Sequence, residues 1–291
     1  MNRDFFRHLR TWVILGRVSN LPTVWSNCLA GWWLGGAQNY PNLPWLFFGV
    51  SALYLGGMFL NDAFDVDYDR QHRPERPIPS GAITVPVVWA WGMALLVLGT
   101  TSLIILGKTT GVLALILLLS IILYDATHKV LTASPWLMGL CRFWIYVIAG
   151  STGSWGINGW PIWCGAALAI YVAGLSLVAQ RENSRGPVPY WPLALLTVPV
   201  LLALLMDVGQ NRTPALWLSV VLVLWVARCV RTIFQGGGVN VGRIVSGLLA
   251  GIVLVDWLAV AVDPDCPRPM KAVFLILFGA TLGLQRFVPA T

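Results

Sequence analysis

Residues 43–81 read LPWLFFGVSALYLGGMFLNDAFDVDYDRQHRPERPIPSG, and this stretch joins two unlike halves. The first half, 43–61, is apolar and has about the 20 residues that a helix needs to cross a bilayer. The second half holds four aspartates and three arginines in close succession. Carboxylates are costly inside a membrane, so a cluster of them at the end of an apolar helix predicts a functional site near the membrane surface.

Apolar segments of this kind recur along the whole chain. Of 291 residues, 57% are hydrophobic and 11% are charged, whereas soluble domains carry about 25% charged residues. This composition excludes an ordinary soluble enzyme, a disordered chain and a secreted disulfide scaffold. We predict an all-α, polytopic membrane helix bundle of nine or ten transmembrane helices, forming one integral-membrane domain over residues 1–291. The predicted segments are 20–37, 43–61, 85–106, 110–124, 136–153, 161–180, 190–206, 214–230, 244–262 and a short one at 272–284.

The distribution of basic residues predicts the orientation of these segments. If the N-terminus lies in the cytoplasm and the chain alternates, all but four of the 19 Lys and Arg residues fall on the inner side. The exceptions are Lys108, Arg212, Arg268 and Lys271. This bias follows the positive-inside rule, and it accounts for the net charge of +7 without a nucleic-acid partner. We expect the polar inner connections, and the active site, to face the cytoplasm.

Residues 1–18 precede the first apolar segment and are polar and basic. Their large apolar side chains share one helical face, namely Phe5, Phe6, Leu9, Trp12 and Val13. This pattern predicts a cytoplasmic amphipathic helix that lies along the membrane surface and contacts membrane lipid. Since residues 1–18 do not have the character of a transit peptide, we expect a bacterial cell membrane. Within the bundle, Gly31 with Gly35 has the spacing of a close helix–helix contact.

The spacing of the polar residues after position 60 predicts a metal site. Asn61, Asp65 and Asp69 are four residues apart, so they form a stripe along one helical face. Asp62 lies beside the stripe, and Asp67 points the other way. Carboxylate and amide oxygens suit Mg²⁺, which shares its coordination with substrate phosphates. The alternative is a solvated acidic helix end, with Arg70, Arg73 and Arg76 in ordinary ion pairs.

The pattern N-D-x-x-D-x-x-x-D followed by R-P-I-P-S-G resembles the first aspartate-rich motif of the UbiA superfamily of intramembrane prenyltransferases. The motif spans about 20 residues, and within the family the chain resembles the EboC-like subgroup. The resemblance implies a helical bundle around a central cavity that opens to the cytoplasm. It also implies that Mg²⁺ holds the diphosphate of a prenyl diphosphate while the prenyl group passes to a small-molecule acceptor.

The resemblance further implies roles for individual residues. The metal ligands are Asn61, Asp62, Asp65 and Asp69, of which Asp65 and Asp69 also count as catalytic together with Tyr124 and Lys129. Tyr124 and Lys129 match a Tyr-x-x-x-Lys element, although His128 stands at the matching position and either residue could take the role. The remaining diphosphate-binding candidates are Arg17, Asn20, Arg76, Arg142, Arg181 and Glu182.

One departure from the family pattern bears on the chemistry. The second aspartate box of the family is replaced by Gln180-Arg181-Glu182-Asn183-Ser184, in which only Glu182 is acidic. Two interpretations follow. Either one metal and several arginines bind the diphosphate, or prenyl transfer has weakened and the protein does something related.

We therefore expect Mg²⁺-dependent transfer of a prenyl group from a prenyl diphosphate to an aromatic or hydroxyl-bearing acceptor within the membrane. The alternative is a non-catalytic or transport protein that uses the same fold for a lipid-like metabolite. The preserved first stripe favours the enzyme, because a scaffold has little need for Asn61, Asp65 and Asp69 on one face.

Overall fold

The computed structural model describes residues 3–180, 190–206, 212–234, 240–261, 263 and 265–290, with the side chains of 3–7 and 212 excepted. These residues form an all-helical bundle. Its helices are α1 (Arg3–Leu15), α2 (Leu21–Leu34), α3 (Leu43–Phe64), α4 (Val66–His72), α5 (Val85–Ile105), α6 (Lys108–Thr127), α7 (Ser134–Ser151), α8 (Gly159–Ala179), α9 (Trp191–Leu195), α10 (Val198–Met206), α11 (Arg212–Val230), α12 (Val241–Ala261) and α13 (Arg268–Leu284).

The predicted apolar segments all fall on these helices. The segment 190–206 differs from the others because it is divided into α9 and α10. Pro199 near the start of α10 has no N–H for a carbonyl one turn earlier, and this interrupts a continuous helix. Within the described ranges, six helical stretches are long and apolar enough to cross a membrane: Tyr40–Phe64, Val85–Ile105, Lys108–Thr127, Gly159–Ala179, Thr213–Ile233 and Val241–Ala261. The count of nine or ten spans therefore stays a prediction.

The first helix, Arg3–Leu15, covers most of the predicted amphipathic stretch 1–18 and ends three residues before position 18. Its C-terminal half packs against the bundle: Leu15 is fully buried, and the Trp12 ring lies 5.5 Å from Phe59 and 5.7 Å from Trp91. Leu9 is exposed. The helix therefore combines an exposed apolar position with a firm contact to α3 and α5.

Helices α2 and α7 approach each other closely. A Cβ atom on Gly31 would lie 2.6 Å from the carbonyl oxygen of Tyr146, and one on Gly35 would overlap the backbone of Gly150. Only glycine permits backbones to pass at this separation, which confirms the contact that the Gly31–Gly35 spacing predicts. The close approach brings the polar side chains of α2 against α7.

The outer surface of the bundle is apolar. Side chains such as Ile105, Leu119 and Ile276 are exposed along α5, α6 and α13. An exposed apolar surface of this extent is typical of helices that face lipid. Polar side chains instead gather inside, around a cavity bordered by α3, α4, α6, α7, α8 and α12.

Candidate active site

The stripe at the end of α3 faces the central cavity. Helix α3 ends at Phe64 and α4 begins at Val66, but backbone hydrogen bonds continue across the junction. The Asp65 N–H donates to the Asn61 carbonyl (3.0 Å) and the Asp69 N–H to the Asp65 carbonyl (2.8 Å). The helical register is thereby kept, and Asn61, Asp65 and Asp69 all line a cavity of about 660 Å³.

Asp62 and Asp67 lie away from this face. The buried Asp62 carboxylate contacts Arg17 (3.3 Å) and Arg76 (3.4 Å), and it is not among the described residues that line the cavity. Asp67 is almost fully exposed and pairs with Arg70 at 3.1 Å. Asp62 thus holds two arginines in place, whereas Asp67 belongs to the solvated surface.

Arg76 contacts Asp69 directly. Its Nη1 atom lies 2.7 Å from the Asp69 carboxylate, and Arg76 lines the cavity together with Arg73. The loop that carries Arg76 is compact, since the Ser80 N–H donates to the Arg76 carbonyl and the Ala82 N–H to the Pro77 carbonyl. The prolines and these turns fix the arginine close to α4.

Asp65 is paired with the residues that follow α6. Lys129 Nζ lies 2.7 Å from the Asp65 carboxylate and His128 Nε2 lies 3.2 Å from it. Burial by itself raises the pKa of Asp65, but the hydrogen bonds from His128 and Lys129 outweigh it and hold that pKa below its ordinary value of 3.8. Burial lowers the pKa of His128, but the Asp65 carboxylate outweighs this and raises it above 6.5. Both residues therefore bring positive charge to the site.

The segment from Tyr124 to Lys129, at the end of α6, also contributes side chains to the cavity. The Tyr124 ring stacks on His128 with 5.2 Å between centroids, and Lys129 Nζ lies 4.1 Å from the centroid of Tyr68. The buried Asp125 accepts a hydrogen bond from Asn61 Nδ2 at 3.1 Å. Asp125 thereby orients the first member of the stripe.

The residues before α2 close another side of the cavity. Arg17 adopts a left-handed backbone conformation with φ 43°, and the Tyr54 hydroxyl donates to its carbonyl at 3.2 Å. Asn20 Nδ2 donates to the carbonyl of Ala290 at 3.0 Å, a contact between the two ends of the described chain. Arg17, Asn20, Tyr54 and Ala290 all line the cavity.

Arg142 reaches the cavity from α7, two turns inside the bundle. Its Nη1 donates to Asn27 Oδ1 at 2.8 Å and its Nη2 to Thr23 Oγ1 at 3.2 Å. The guanidinium also lies 5.9 Å from the centroid of Tyr54. Arg142 is therefore separate from the aspartates of α3 and α4 and is held by neutral oxygens of α2.

An apolar wall completes the cavity. It is built from Met138 on α7, Val172 and Leu175 on α8, and Val245, Leu249 and Ile252 on α12. Gln180, at the end of α8, also lines the cavity and donates to Ser134 at 3.2 Å. Arg181 and Glu182, predicted as diphosphate ligands, lie outside the described residues.

The oxygen donors at the site suit a magnesium ion bound together with a diphosphate. Among the described residues, no three His, Cys, Asp or Glu side chains lie close enough together to hold a metal by themselves. Magnesium commonly takes one or two carboxylates, with phosphate and water oxygens supplying the rest. Asn61, Asp65 and Asp69 face the cavity with such oxygens, so this donor set fits Mg²⁺ with a phosphate ligand better than a pre-formed protein cage.

Two buried carboxylates of the structure were not among the predicted site residues. Asp125 directly follows Tyr124, and its position at the end of an apolar helix is a signal that sequence reasoning could have used. Asp256 is fully buried in α12, where it is the lone acidic residue of the apolar segment 244–262. An ionisable residue inside a membrane segment is by itself a reason to look for a function.

Comparisons with known proteins agree with this arrangement. The model of the UbiA prenyltransferase family matches residues 19–278. The digeranylgeranylglyceryl phosphate synthase of Saccharolobus solfataricus is 31% identical over 124 residues, 42% of this chain and 44% of that protein. The synthase of the same name from Ignicoccus hospitalis is 40% identical over 65 residues, 22% of each chain. The chain thus spans less than half the length of these curated relatives.

Solved structures share the fold over nearly the whole chain. A UbiA homologue from Archaeoglobus fulgidus, bound to GPP and Mg²⁺, has a TM-score of 0.66 at 13% identity and covers 94% of this chain and 99% of that one. A digeranylgeranylglyceryl phosphate synthase structure has a TM-score of 0.63 at 21% identity over 88% and 99%. The six apolar helices and the match over residues 19–278 indicate an integral membrane protein. The chain belongs to the UbiA prenyltransferase family.

Proposed function

We propose that this protein catalyses the Mg²⁺-dependent transfer of a prenyl group from a prenyl diphosphate to a hydroxyl-bearing or aromatic acceptor within the membrane. The observation that carries the proposal is the composition of one cavity of about 660 Å³. One wall, from α3, α4 and the segment after α6, holds charged side chains. The other, from α7, α8 and α12, is apolar apart from Arg142, Ser134 and Ser176. A substrate that is half diphosphate and half hydrocarbon matches both walls.

The positive charges of the cavity suit the diphosphate. Among the described residues that line the cavity, five are Lys or Arg and only two, Asp65 and Asp69, are acidic. The basic residues are Arg17, Arg73, Arg76, Lys129 and Arg142. Guanidinium groups bind phosphate oxygens through paired hydrogen bonds. When the C–O bond of the substrate breaks, negative charge grows on the departing diphosphate. Fixed cations stabilise that charge more in the transition state than in the ground state.

Asn61, Asp65 and Asp69 would hold the magnesium ion, which supplies further positive charge to the diphosphate oxygens when it is bound. Lys129 and His128 keep Asp65 ionised and oriented, and Arg76 orients Asp69. Asp125 orients Asn61. The ligands are thereby set by neighbours that belong to different helices.

The apolar wall has a separate task in the reaction. The prenyl carbon that loses diphosphate becomes electron-poor and reacts with water if water is present. Val172, Leu175 and Leu249 shield this side of the cavity, so that the acceptor rather than water reaches the carbon. Two relatives are named digeranylgeranylglyceryl phosphate synthases, which favours a hydroxyl-bearing acceptor for this chain.

Two features of the predicted localisation stay proposals. The positive-inside pattern supports a cytoplasmic N-terminus and a cavity that opens to the cytoplasm. Both relatives are archaeal, so they give no support to the expectation of a bacterial membrane.

A transfer assay with matched aspartate variants tests the function. Membranes with the full chain receive radiolabelled geranyl, farnesyl or geranylgeranyl diphosphate, Mg²⁺ and a lipid extract as acceptor pool. We expect wild type and Asp67→Asn to move label into a new lipid, and Asp69→Asn to lose at least about 100-fold of that rate, because it alters the cavity face. Asp67→Asn is the control, since Asp67 is exposed and pairs only with Arg70 among its recorded ion pairs.

Two outcomes contradict the proposal. Full transfer by Asp69→Asn would show that the stripe does not take part in the reaction. Binding of prenyl diphosphate by the wild type without transfer to any acceptor in the pool would favour the non-catalytic or transport alternative. Product isolated from a positive assay identifies the acceptor directly.

A further inference from the structure

A second polar cluster lies inside the bundle, beyond the charged wall of the cavity. Its centre is Asp256 on α12, whose side chain is fully buried. The carboxylate accepts hydrogen bonds from the Tyr146 hydroxyl (2.6 Å), from Asn27 Nδ2 (2.7 Å) and from the Ser26 hydroxyl. Three helices, α2, α7 and α12, thus meet at one carboxylate, and this group is here named the Asp256 network.

The Asp256 network reaches the cavity through Asn27. The amide of this residue is used on both sides: Nδ2 donates to Asp256, and Oδ1 accepts from Arg142 at 2.8 Å. Asp256 and Asn27 are not among the described lining residues, whereas Arg142 is. A single amide therefore links a buried carboxylate to a cation on the cavity wall.

The chemistry of the two neighbours fixes the orientation of this amide. An ionised carboxylate only accepts hydrogen bonds, and a guanidinium only donates them. Between them, Asn27 has one satisfactory orientation, with its nitrogen toward Asp256 and its oxygen toward Arg142. The reverse orientation would set N–H groups against the guanidinium and an oxygen against the carboxylate. By binding Nδ2 of Asn27, Asp256 consequently turns Oδ1 of the same amide toward Arg142.

Arg142 depends on this arrangement for its charge balance. The ion pairs recorded for the described residues do not include Arg142; its hydrogen-bond partners there are the neutral oxygens of Asn27 and Thr23. A buried cation without an opposite charge nearby is costly. An ionised Asp256, one amide away, supplies the opposite charge, and Arg142 still lines the cavity.

We propose that Asp256 is a positioning residue that acts through Asn27 to hold the Arg142 guanidinium on the cavity wall, where Arg142 binds the diphosphate. This inference rests on the proposed function for the identity of the anion. It assigns a role to a carboxylate that the transfer reaction itself does not use, and it makes α12 part of the substrate-binding machinery through α2.

A double-mutant cycle on the full chain in detergent tests the inference. The probe is inorganic pyrophosphate with Mg²⁺, and its dissociation constant is measured by calorimetry. We expect Asp256→Asn to weaken binding about tenfold, the equivalent of one charge-assisted hydrogen bond. Arg142→Gln weakens binding at least as much, and Asp256→Asn then adds nothing in that background, because its effect passes through Arg142.

Asp263→Asn is the matched control. Asp263 lies just beyond the end of α12 and accepts a hydrogen bond from Trp33 Nε1 at 2.8 Å, so this variant also neutralises a carboxylate bonded to α2. Asp263 is not among the described residues that line the cavity. We expect Asp263→Asn to bind pyrophosphate as the wild type does.

An exchange of the two side chains separates positioning from simple packing. In Asn27→Asp/Asp256→Asn the carboxylate faces Arg142 directly, and the new amide at position 256 donates to it while accepting from Tyr146. The Ser26 hydroxyl, which lies 3.0 Å from the Thr23 carbonyl, then donates to that carbonyl. The hydrogen-bond pattern is restored, so we expect binding to return to within about threefold of the wild type. The exchange keeps both side-chain volumes, and a role in packing alone predicts no loss in the single variant and no rescue.

The outcomes distinguish this inference from the proposed function. Unchanged binding in Asp256→Asn, or losses that add fully with Arg142→Gln, would overturn the positioning role while the function stands. Failure of the wild type to bind pyrophosphate with Mg²⁺ would overturn the proposed function and the assignment of Arg142 with it. If Asp256→Asn does not fold, the exchanged double variant tests the inference instead. Restored folding and affinity support the inference, whereas a folded double variant with weak affinity overturns it.

Discussion

Apart from Asp125, which accepts from the Asn61 amide, the buried carboxylates that the structure describes form two groups with opposite kinds of partner. Asp62, Asp65 and Asp69, at the end of α3 and in α4, are paired with arginines, Lys129 and His128. Asp256, in α12, is bonded to two hydroxyls and an amide. Asp65 and Asp69 of the first group line the cavity, whereas Asp256 is fully buried among the apolar side chains of α12.

The difference shows how the location of a charge selects its partners. Near the membrane surface, cations can compensate carboxylates and still be available to an incoming anion. Deeper inside, each further charge adds to the desolvation cost, so neutral donors satisfy the carboxylate instead. Among the residues that the structure describes, the cation linked to Asp256 is Arg142, and the link passes through Asn27. Three predictions test this contrast.

The largest effect is expected from loss of a cation in the first group. Arg76→Met removes the partner of Asp69 and one partner of Asp62, and it leaves two buried carboxylates undercompensated. We expect the free energy of unfolding to fall by about 3 kcal/mol. Thermal unfolding in detergent measures it, with Arg70→Met as the control. Arg70 pairs with the exposed Asp67, so its loss should cost no more than about 0.5 kcal/mol; equal losses would contradict the contrast.

An intermediate effect is expected from a tyrosine of the second group. Tyr146→Phe removes a hydroxyl that donates to the Asp256 carboxylate, whereas Tyr171→Phe removes one that donates to the Leu248 carbonyl at 2.9 Å. Hydrogen bonds to charged groups are stronger than those to neutral groups. We therefore expect the free energy of unfolding to fall by about 2 kcal/mol in Tyr146→Phe and by about 1 kcal/mol in Tyr171→Phe. Equal losses in the two variants would indicate that Asp256 carries no charge in the folded protein.

The smallest effect concerns pH and His128. The pKa of His128 is raised above its ordinary value of 6.5 by Asp65, despite the opposing effect of burial. The stabilisation from this pair is therefore fully present below pH 6.5 and is lost as the pH rises through the raised pKa. We expect the melting temperature of the wild type, relative to that of His128→Gln, to decline between pH 6 and pH 9. A constant difference would contradict the pairing.

The features of this protein that could be predicted from the sequence are those that depend on residues a few positions apart. The four-residue spacing of Asn61, Asp65 and Asp69 predicts a shared face, and the structure places all three on one cavity. The apolar segments likewise predict the helices. The spacing cannot show that Lys129 and His128 both reach Asp65, because these residues are more than 60 positions away.

The Asp256 network is the opposite case. Asn27 and Asp256 are separated by 229 positions and Tyr146 and Asp256 by 110, so no local pattern connects them. A single acid in an apolar segment signals that partners exist, but their identity depends on how α2, α7 and α12 pack. The roles of Arg181 and Glu182 stay predictions, as these residues lie outside the described part of the chain.

The long separation within the Asp256 network also bears on biosynthesis. A ribosome completes α2 and α7 well before it reaches α12, so the nascent chain inserts Asn27 and Arg142 before the carboxylate that Asn27 binds has been made. During that interval no carboxylate holds the amide nitrogen of Asn27. Arg142 and Asn27 therefore reach their final arrangement only when α12 (Val241–Ala261) enters the membrane, so this part of the cavity wall matures late.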